Sequence, residues 1–312
     1  MKPLCFIPFF VAIALATAAQ PFPDYSISDP YLQFRATASS PLYTTYTAAM
    51  ERSQLYGDKG YKMDYYSSCS PLAFEGDQAG RFFHFFKVNK VLISSLSEFY
   101  RQPVVTASFP DMAVLEYQPW PGIEVKQVFF VYASSLALVD LQIRNTTRAS
   151  HLVEVYPILE LGNDSLEVTG YDPRFNGLEC FHHETHKRLI SNLYRHGRYP
   201  THCRNLFGAS QPPYSYGIYK GNMNDFYNAV KTDFYAKNIQ NDSLNMSAKG
   251  RAAYVSLHFP FELKPGETAH LRYFRGWQDV AANPEILVQQ IDSLRSEVRR
   301  VGKECRSRWS PY

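Results

Sequence analysis

After residue 20 the chain has no apolar run long enough to cross a bilayer as a helix, no glycine-rich phosphate loop, no nucleophile-elbow sequence and no internal repeat. These absences exclude a helical membrane protein, a P-loop enzyme and a solenoid. Cysteine is scarce, with five in 312 residues. Cys5 lies in an apolar leader and Cys305 in an anomalous tail, which leaves Cys69, Cys180 and Cys203. Three thiols in so long a chain do not make a disulfide scaffold, so a packed core must supply the stability. The pair expected to bridge in an oxidising compartment is Cys180 with Cys203, across an irregular segment.

The two ends explain much of the remaining composition. Residues 1–19 carry one lysine, an apolar stretch from Pro3 to Ala16 and small residues at Ala16-Thr17-Ala18. That is the pattern of a secretory signal peptide, and it predicts a secreted or periplasmic product with no membrane span after cleavage. Residues 295–312 closely resemble the translation of a sequencing adapter, so they are set aside as an artefact and the natural C-terminus is expected to lie beyond them. The tail holds six basic and two acidic residues; without it and without Lys2 the formal charge falls from +3 to −2. The apparent basicity disappears, and with it the electrostatic motive for nucleic acid.

What remains is rich in Tyr and Phe and in short β-branched runs, which favours strands. Strands are expected at Ser26–Ala36, Leu42–Ala48, Tyr61–Tyr66, Phe82–Ser94, Val104–Phe109, Ala113–Gln118, Glu124–Ala133 and Ala137–Asn145. Alternation is clearest where Leu141 and Ile143 interleave with Asp140, Gln142 and Arg144. The turn Asn145-Thr146-Thr147-Arg148 and the return His151–Leu161 read as a long antiparallel hairpin. Ala252–Leu263, the turn Lys264-Pro265-Gly266-Glu267 and Thr268–Phe274 read as another.

From about Gly162 to Asn222 neither period is sustained, which predicts an elaborated loop region with one strand near Glu179–Lys187. Asp225–Ala236 reads as a strand or a short helix. A helix is expected over 279–294, with Pro284 near its start and Ile286, Leu287, Ile291 and Leu294 on one face. The fold class expected is all-β: a large antiparallel β-sandwich over 20–278, followed by the start of that linker helix. A transmembrane barrel, also exported and Tyr-rich, fits poorly with Pro119-Trp120-Pro121-Gly122 and the long polar segment.

The order of features resembles the N-terminal supersandwich domain of six-hairpin glycosidases, the glucoamylase-like, trehalase-like and glycogen-debranching enzymes. The residues that carry the resemblance are Gly122–Val131, Ile143-Arg144-Asn145-Thr146-Thr147, Val155–Leu161, Phe261–Glu267 and Gly276-Trp277. It covers most of residues 25–294. It implies a non-catalytic domain of an exported glycoside hydrolase acting on an oligo- or polysaccharide. The catalytic carboxylates would lie on a missing C-terminal (α/α)6 barrel, so no catalytic residue is assigned and the chain alone is expected to be inactive. A non-catalytic carbohydrate-binding or surface-adhesion sandwich is the alternative. The partners implied are carbohydrate and the helical domain of the same chain.

Sugar rings stack on aromatic side chains flanked by a few directed polar groups, which points to Trp120 and to Tyr171, Asp172 and Arg174 as substrate-binding candidates. The competing reading places such aromatics in the core. His182, His186 and Cys203 are candidate metal ligands, but they lack a His-Glu-x-x-His or Cys-x-x-Cys spacing, so a polar surface loop is favoured, with no metal and no cofactor. Asn145, Asn163, Asn241 and Asn245 begin glycosylation-type sequences, which in a bacterial protein, as the resemblance suggests, mean polar turns.

Overall fold

The structure, a computed structural model, describes residues 45–48, 60–64, 69–76, 80–160, 166–183, 202–219, 222–232 and 250–279, and the single positions 283, 285, 289 and 291. The leader, the expected strand Ser26–Ala36 and the adapter-like tail lie outside them. The strands, in chain order, are β1 (Thr45–Tyr46), β2 (Tyr61–Asp64), β3 (Ala73–Gly76), β4 (Gly80–Val88), β5 (Val91–Ile93), β6 (Arg101–Ser108), β7 (Met112–Trp120), β8 (Ile123–Ala133) and β9 (Leu136–Asn145). They continue with β10 (His151–Glu160), β11 (Leu166–Asp172), β12 (Gly177–His183), β13 (His202–Ala209), β14 (Ser215–Tyr219), β15 (Gly250–Ala252), β16 (Tyr254–Leu263) and β17 (Thr268–Asp279). One α-helix, α1 (Met223–Lys231), precedes β15.

The strands form two antiparallel sheets. A nine-stranded sheet runs β15-β11-β12-β13-β17-β9-β8-β7-β6, and an eight-stranded sheet runs β1-β2-β3-β4-β10-β16-β14 with β5 paired to β4. This is the expected all-β sandwich. Among the described residues both sheets run between two edge strands and do not close into a barrel. Odd-numbered residues of β8, β9 and β17 such as Phe129, Val139, Ile143 and Tyr273 enter the core between the sheets, where they meet Phe74, Phe82, Phe86, Val155 and Leu257 of the facing sheet. Phe74 lies flat on Phe129 with ring centroids 3.6 Å apart, and Tyr46 and Tyr61 meet the same ring edge-on.

The outer faces are also partly buried, which is why β8 and β10 read as near-continuous apolar runs. On the eight-stranded sheet, Phe83, Phe85, Tyr156 and Ile158 are covered by Phe226 and Val230 of α1, spaced four apart on one helix face. Asn222 caps that helix by accepting from the Asp225 amide at 3.0 Å. On the nine-stranded sheet, Val114, Val128, Phe130, Leu138 and Phe274 cluster with Ile291. Glu285, Gln289 and Ile291 are helical, within the helix expected over 279–294.

Both expected long hairpins are instead arches between sheets. β9 pairs with β8 and β17 in one sheet, whereas β10 pairs with β4 and β16 in the other. β16 and β17 separate in the same way. The sequence segments were correct and the pairing was not, because each strand finds its partners from the other arch: Arg144 stands opposite Thr268, and His151 opposite Leu263. Asn145, 0% exposed, joins the two bends. Its backbone N–H donates to Glu267 O and its carbonyl accepts from Gly266 N, both at 2.9 Å. Its Nδ2 donates to Leu263 O at 2.9 Å and Ala149 O at 2.7 Å, and its Oδ1 accepts from the Thr147 amide and hydroxyl. Asn145 is therefore a buried tie and not a surface acceptor for sugar.

Two further expectations change. Phe82–Ser94 is broken into β4 and β5 by Asn89 and Lys90, both at positive φ (49° and 74°), a two-residue turn whose hand matches strand twist. The segment 162–222, expected to hold one strand, contributes β11 to β14. Gly177 and Gly208 obscured its pattern: a Cβ on Gly177 would come within 2.1 Å of Phe207 O, so close backbone approach excludes any side chain there.

A polar chain crosses the core. Tyr273 donates its hydroxyl hydrogen to His84 Nδ1 at 2.7 Å, His84 Nε2–H donates to Tyr117 Oη at 3.0 Å, and Tyr117 donates to Gln127 Oε1 at 2.8 Å. This order of donors holds His84 neutral, and burial lowers its pKa from 6.5 to about 3.

Asn145→Ala is expected to lower stability by about 1–3 kcal/mol, since it removes the buried donor to Leu263 O and the acceptor of the Thr147 amide; urea unfolding showing no loss would count against the tie. For His84, the unfolded chain binds more protons than the folded one below pH 6.5. Stability should therefore fall by about 1.4 kcal/mol per pH unit as pH drops from 6.5 toward 3. His84→Gln should remove that part of the slope in pH-resolved unfolding.

Candidate functional site

Strands β6 to β9 form a consecutive meander, and their outward residues build a concave polar surface. Across the sheet, Val104, Glu116, Lys126 and Gln142 stand in one row, and Glu124 and Arg144 are paired in the next. With Arg101, Thr106 and Gln118 they line a cavity of about 500 Å³ floored by Tyr117 and Val125. That volume lies in the range of small-ligand pockets. Four strands span about 14 Å at the usual strand spacing, enough for two or three sugar rings.

The electrostatics are mixed: Arg101, Lys126 and Arg144 face Glu116 and Glu124. Among the described residues, the side chains of Arg101, Glu116, Gln118, Glu124, Gln142 and Arg144 have no hydrogen-bond or ion-pair partner. Further along the same face the charges are already used, with Arg272 bonded to Asp140 at 2.6 Å. His270, opposite Gln142 on β17, has its pKa lowered chiefly by burial; Asp140 opposes that shift and Arg272 adds to it. The groove thus offers unengaged planar donors and acceptors in neighbouring rows, a set suited to vicinal hydroxyls. Sequence reasoning had marked Gln142 and Arg144 only as a wet strand face.

Trp120 ends β7 two residues beyond Gln118. Pro121 and Gly122 (φ 75°) form the turn into β8, with Trp120 paired to Ile123. Its ring is partly buried against the inter-sheet core. Tyr171, Asp172 and Arg174 lie on β11 and its turn, six strands away in the sheet and on the order of 25–30 Å from β7. The structure does not bring the two groups together. One face of Tyr171 is stacked on Tyr216 of the opposite sheet, 5.4 Å between centroids and 5° from parallel. Asp172 accepts from the Arg174 amide at 2.8 Å and from its guanidinium at 2.6 Å, and these bonds outweigh desolvation and hold its pKa below the ordinary value. Asp172 therefore fastens its own turn, and Arg174 stays exposed with Glu285 3.8 Å away.

Among the described residues no group of three or more His, Cys, Asp or Glu side chains has the arrangement of a metal site. His182 stands opposite Cys203 in the β12–β13 register, but their side chains and all of His186 lie outside the described residues. Cys180 is a free, buried thiol whose cross-strand partner is Asn205, so the register does not oppose Cys180 to Cys203 as the expected bridge requires. No helix among the described residues is long and apolar enough to cross a membrane.

The structure also assembles a Ser-His-Glu chain that the sequence does not announce. Ser215 Oγ lies 2.8 Å from His258 Nδ1, and His258 Nε2 lies 3.0 Å from Glu154 Oε1. The order of ring nitrogens is the reverse of a hydrolytic triad, and Ser215 is buried. His258 is stacked on Tyr156 at 4.5 Å. Burial alone would raise the Glu154 pKa, but the hydrogen bond and charge of His258, with Lys87 and Tyr156, lower it overall. The cluster ties β14, β16 and β10 together and presents no nucleophile.

No family model and no curated protein matches the sequence. Among solved structures the chain is similar to a polysaccharide lyase, at 12% identity over 74% of this chain and 34% of that one, with a TM-score of 0.39. Heparinase III gives 11% identity over 64% and 24%, with a TM-score of 0.34. A GH36 α-galactosidase from Geobacillus stearothermophilus gives 10% over 76% and 41%, with a TM-score of 0.30. The chain spans well under half the length of each.

If Tyr171 acts mainly by its stack, a double-mutant cycle of Tyr171→Ala and Tyr216→Ala should show a coupling of about 0.5–1.5 kcal/mol in unfolding experiments. Additive losses would free Tyr171 for another role.

Proposed function

We propose that this chain is the N-terminal, non-catalytic β-sandwich of an exported glycoside hydrolase, and that its groove on β6 to β9 contacts an oligo- or polysaccharide. The resemblance of its strand and turn order to six-hairpin glycosidase supersandwiches supports the enzyme class. The single observation that carries sugar contact is the groove itself, with six unengaged polar side chains in neighbouring rows. In this reading the catalytic carboxylates stand on a helical domain that follows the sandwich. Carboxylates accept from paired sugar hydroxyls, guanidinium groups donate to them, and the stiff Trp120-Pro121-Gly122 turn closes one end. The signal-peptide pattern of residues 1–19 supports export to the periplasm or beyond.

Isothermal titration of the purified chain with neutral α-glucan oligosaccharides tests the groove. Arg144→Ala should weaken binding about tenfold, as loss of a charged hydrogen bond implies, whereas Arg174→Ala should not. Equal affinity in wild type and an Arg144→Ala/Glu124→Ala double variant would remove the groove from the reading. The chain alone should release no product from an α-glucoside; measurable turnover by the purified protein would overturn its non-catalytic assignment.

A further inference from the structure

The charges that line the groove follow an order across its strands. Arg101 stands on β6, Glu116 on β7, Glu124 and Lys126 on β8, and Arg144 on β9. The register sets Glu116 opposite Lys126 and Glu124 opposite Arg144, so each of these four charges faces one of opposite sign on the neighbouring strand. Arg101 does not. Its cross-strand partner is the neutral Gln118, and among the described residues β6 is the edge of the sheet, with no further strand to supply a carboxylate. Its side chain is exposed and makes no ion pair. The lining therefore holds three cations against two carboxylates, and the surplus positive charge lies at the β6 end.

An exposed guanidinium needs no partner to be stable in water, so the surplus bears on selectivity and not on stability. A neutral sugar can use Arg101 only as a hydroxyl donor. A sugar carboxylate can take two parallel charge-assisted hydrogen bonds from its planar fork. Further in, a carboxylate over β7 or β8 would meet Glu116 or Glu124, and such like-charge contacts reject the ligand. We propose that the groove selects an acidic oligosaccharide whose single uronate lies over β6, held by Arg101, with neutral rings over β7 to β9. This inference rests on the sugar contact proposed above and names the class of sugar. Arg101 is its specificity-determining residue, while Arg144, faced by Glu124, serves hydroxyls.

Calorimetric titration of the whole chain with a matched set of α-glucan trisaccharides is the test. The set comprises the neutral form, the two forms oxidised at C6 to a uronate on one terminal ring or the other, and the form oxidised on every ring. One singly oxidised form should bind about tenfold tighter than the neutral form at low salt. That advantage should shrink as salt is raised, because both charges are exposed. The fully oxidised form should bind more weakly than the preferred one. Arg101→Gln should erase the preference, as should Gln118→Glu, which sets a carboxylate opposite Arg101; Arg101→Lys should keep part of it. Neutral and singly oxidised forms of equal affinity would overturn the selectivity and leave the sugar contact standing, whereas no binding by any form would remove both. A preference that survives Arg101→Gln would overturn the assignment to Arg101.

Discussion

The architecture depends on six hydrogen bonds around Asn145. Two strands that leave one sheet and enter the other must each expose backbone groups at the bend, and a buried bend has no water to satisfy them. The β9–β10 and β16–β17 bends solve this by lying side by side. Asn145 supplies an amide side chain that bonds to its own arch and to the neighbouring one. Once the bends are joined, the registers Arg144 to Thr268 and His151 to Leu263 follow, and each sheet has its central strands. Gly122 fits the same corner: Thr146 donates to its carbonyl, and a Cβ there would collide with Thr147.

With the sheets fixed by their corners, the interior can hold polar groups that would otherwise favour other packings. The Tyr273-His84-Tyr117-Gln127 chain is fully paired and directional, so it costs little once formed and rejects a shifted register. Arg275 is the opposite case: among the described residues its Nε has no hydrogen-bond partner. The polar chain crosses from Tyr273, Tyr117 and Gln127 of the nine-stranded sheet to His84 on β4 of the other, whereas Arg275 lies on β17 of the nine-stranded sheet.

Strand positions were legible in the sequence because period-two alternation is a local property. Strand partners were not. Adjacent strands with a short turn normally pair, and nothing in Lys264-Pro265-Gly266-Glu267 distinguishes a hairpin from an arch; the difference lies in Asn145, 118 residues from its acceptor Leu263. The four strands of 166–219 were hidden because glycines hold them close and because buried outer faces blur the alternation. Of the site, Gln142 and Arg144 could be seen as outward-facing, but their approach to Glu116 and Arg101 exists only after β6 to β9 pair. The aromatic and acidic candidates of β11 were chosen by residue type alone. Type does not reveal that Tyr216 covers Tyr171, or that Asp172 is consumed by its own turn.

The outer face of the nine-stranded sheet is divided along its strands. Toward one end, Val114, Val128, Phe130 and Leu138 are buried with Ile291; toward the other, Glu116, Lys126, Glu124, Gln142 and Arg144 stay open. The same alternating positions of β7, β8 and β9 therefore change from apolar to polar within a single strand. A face meant only for solvent has no reason to keep half its length apolar, and a face meant only for packing has no reason to leave six polar side chains unengaged. In the proposed reading, the sheet is held at one end by packing around Ile291 and offers its other end to a polar ligand. Because β-strands are stiff, the anchored half sets the spacing of the rows in the open half, so the groove is shaped before anything binds there.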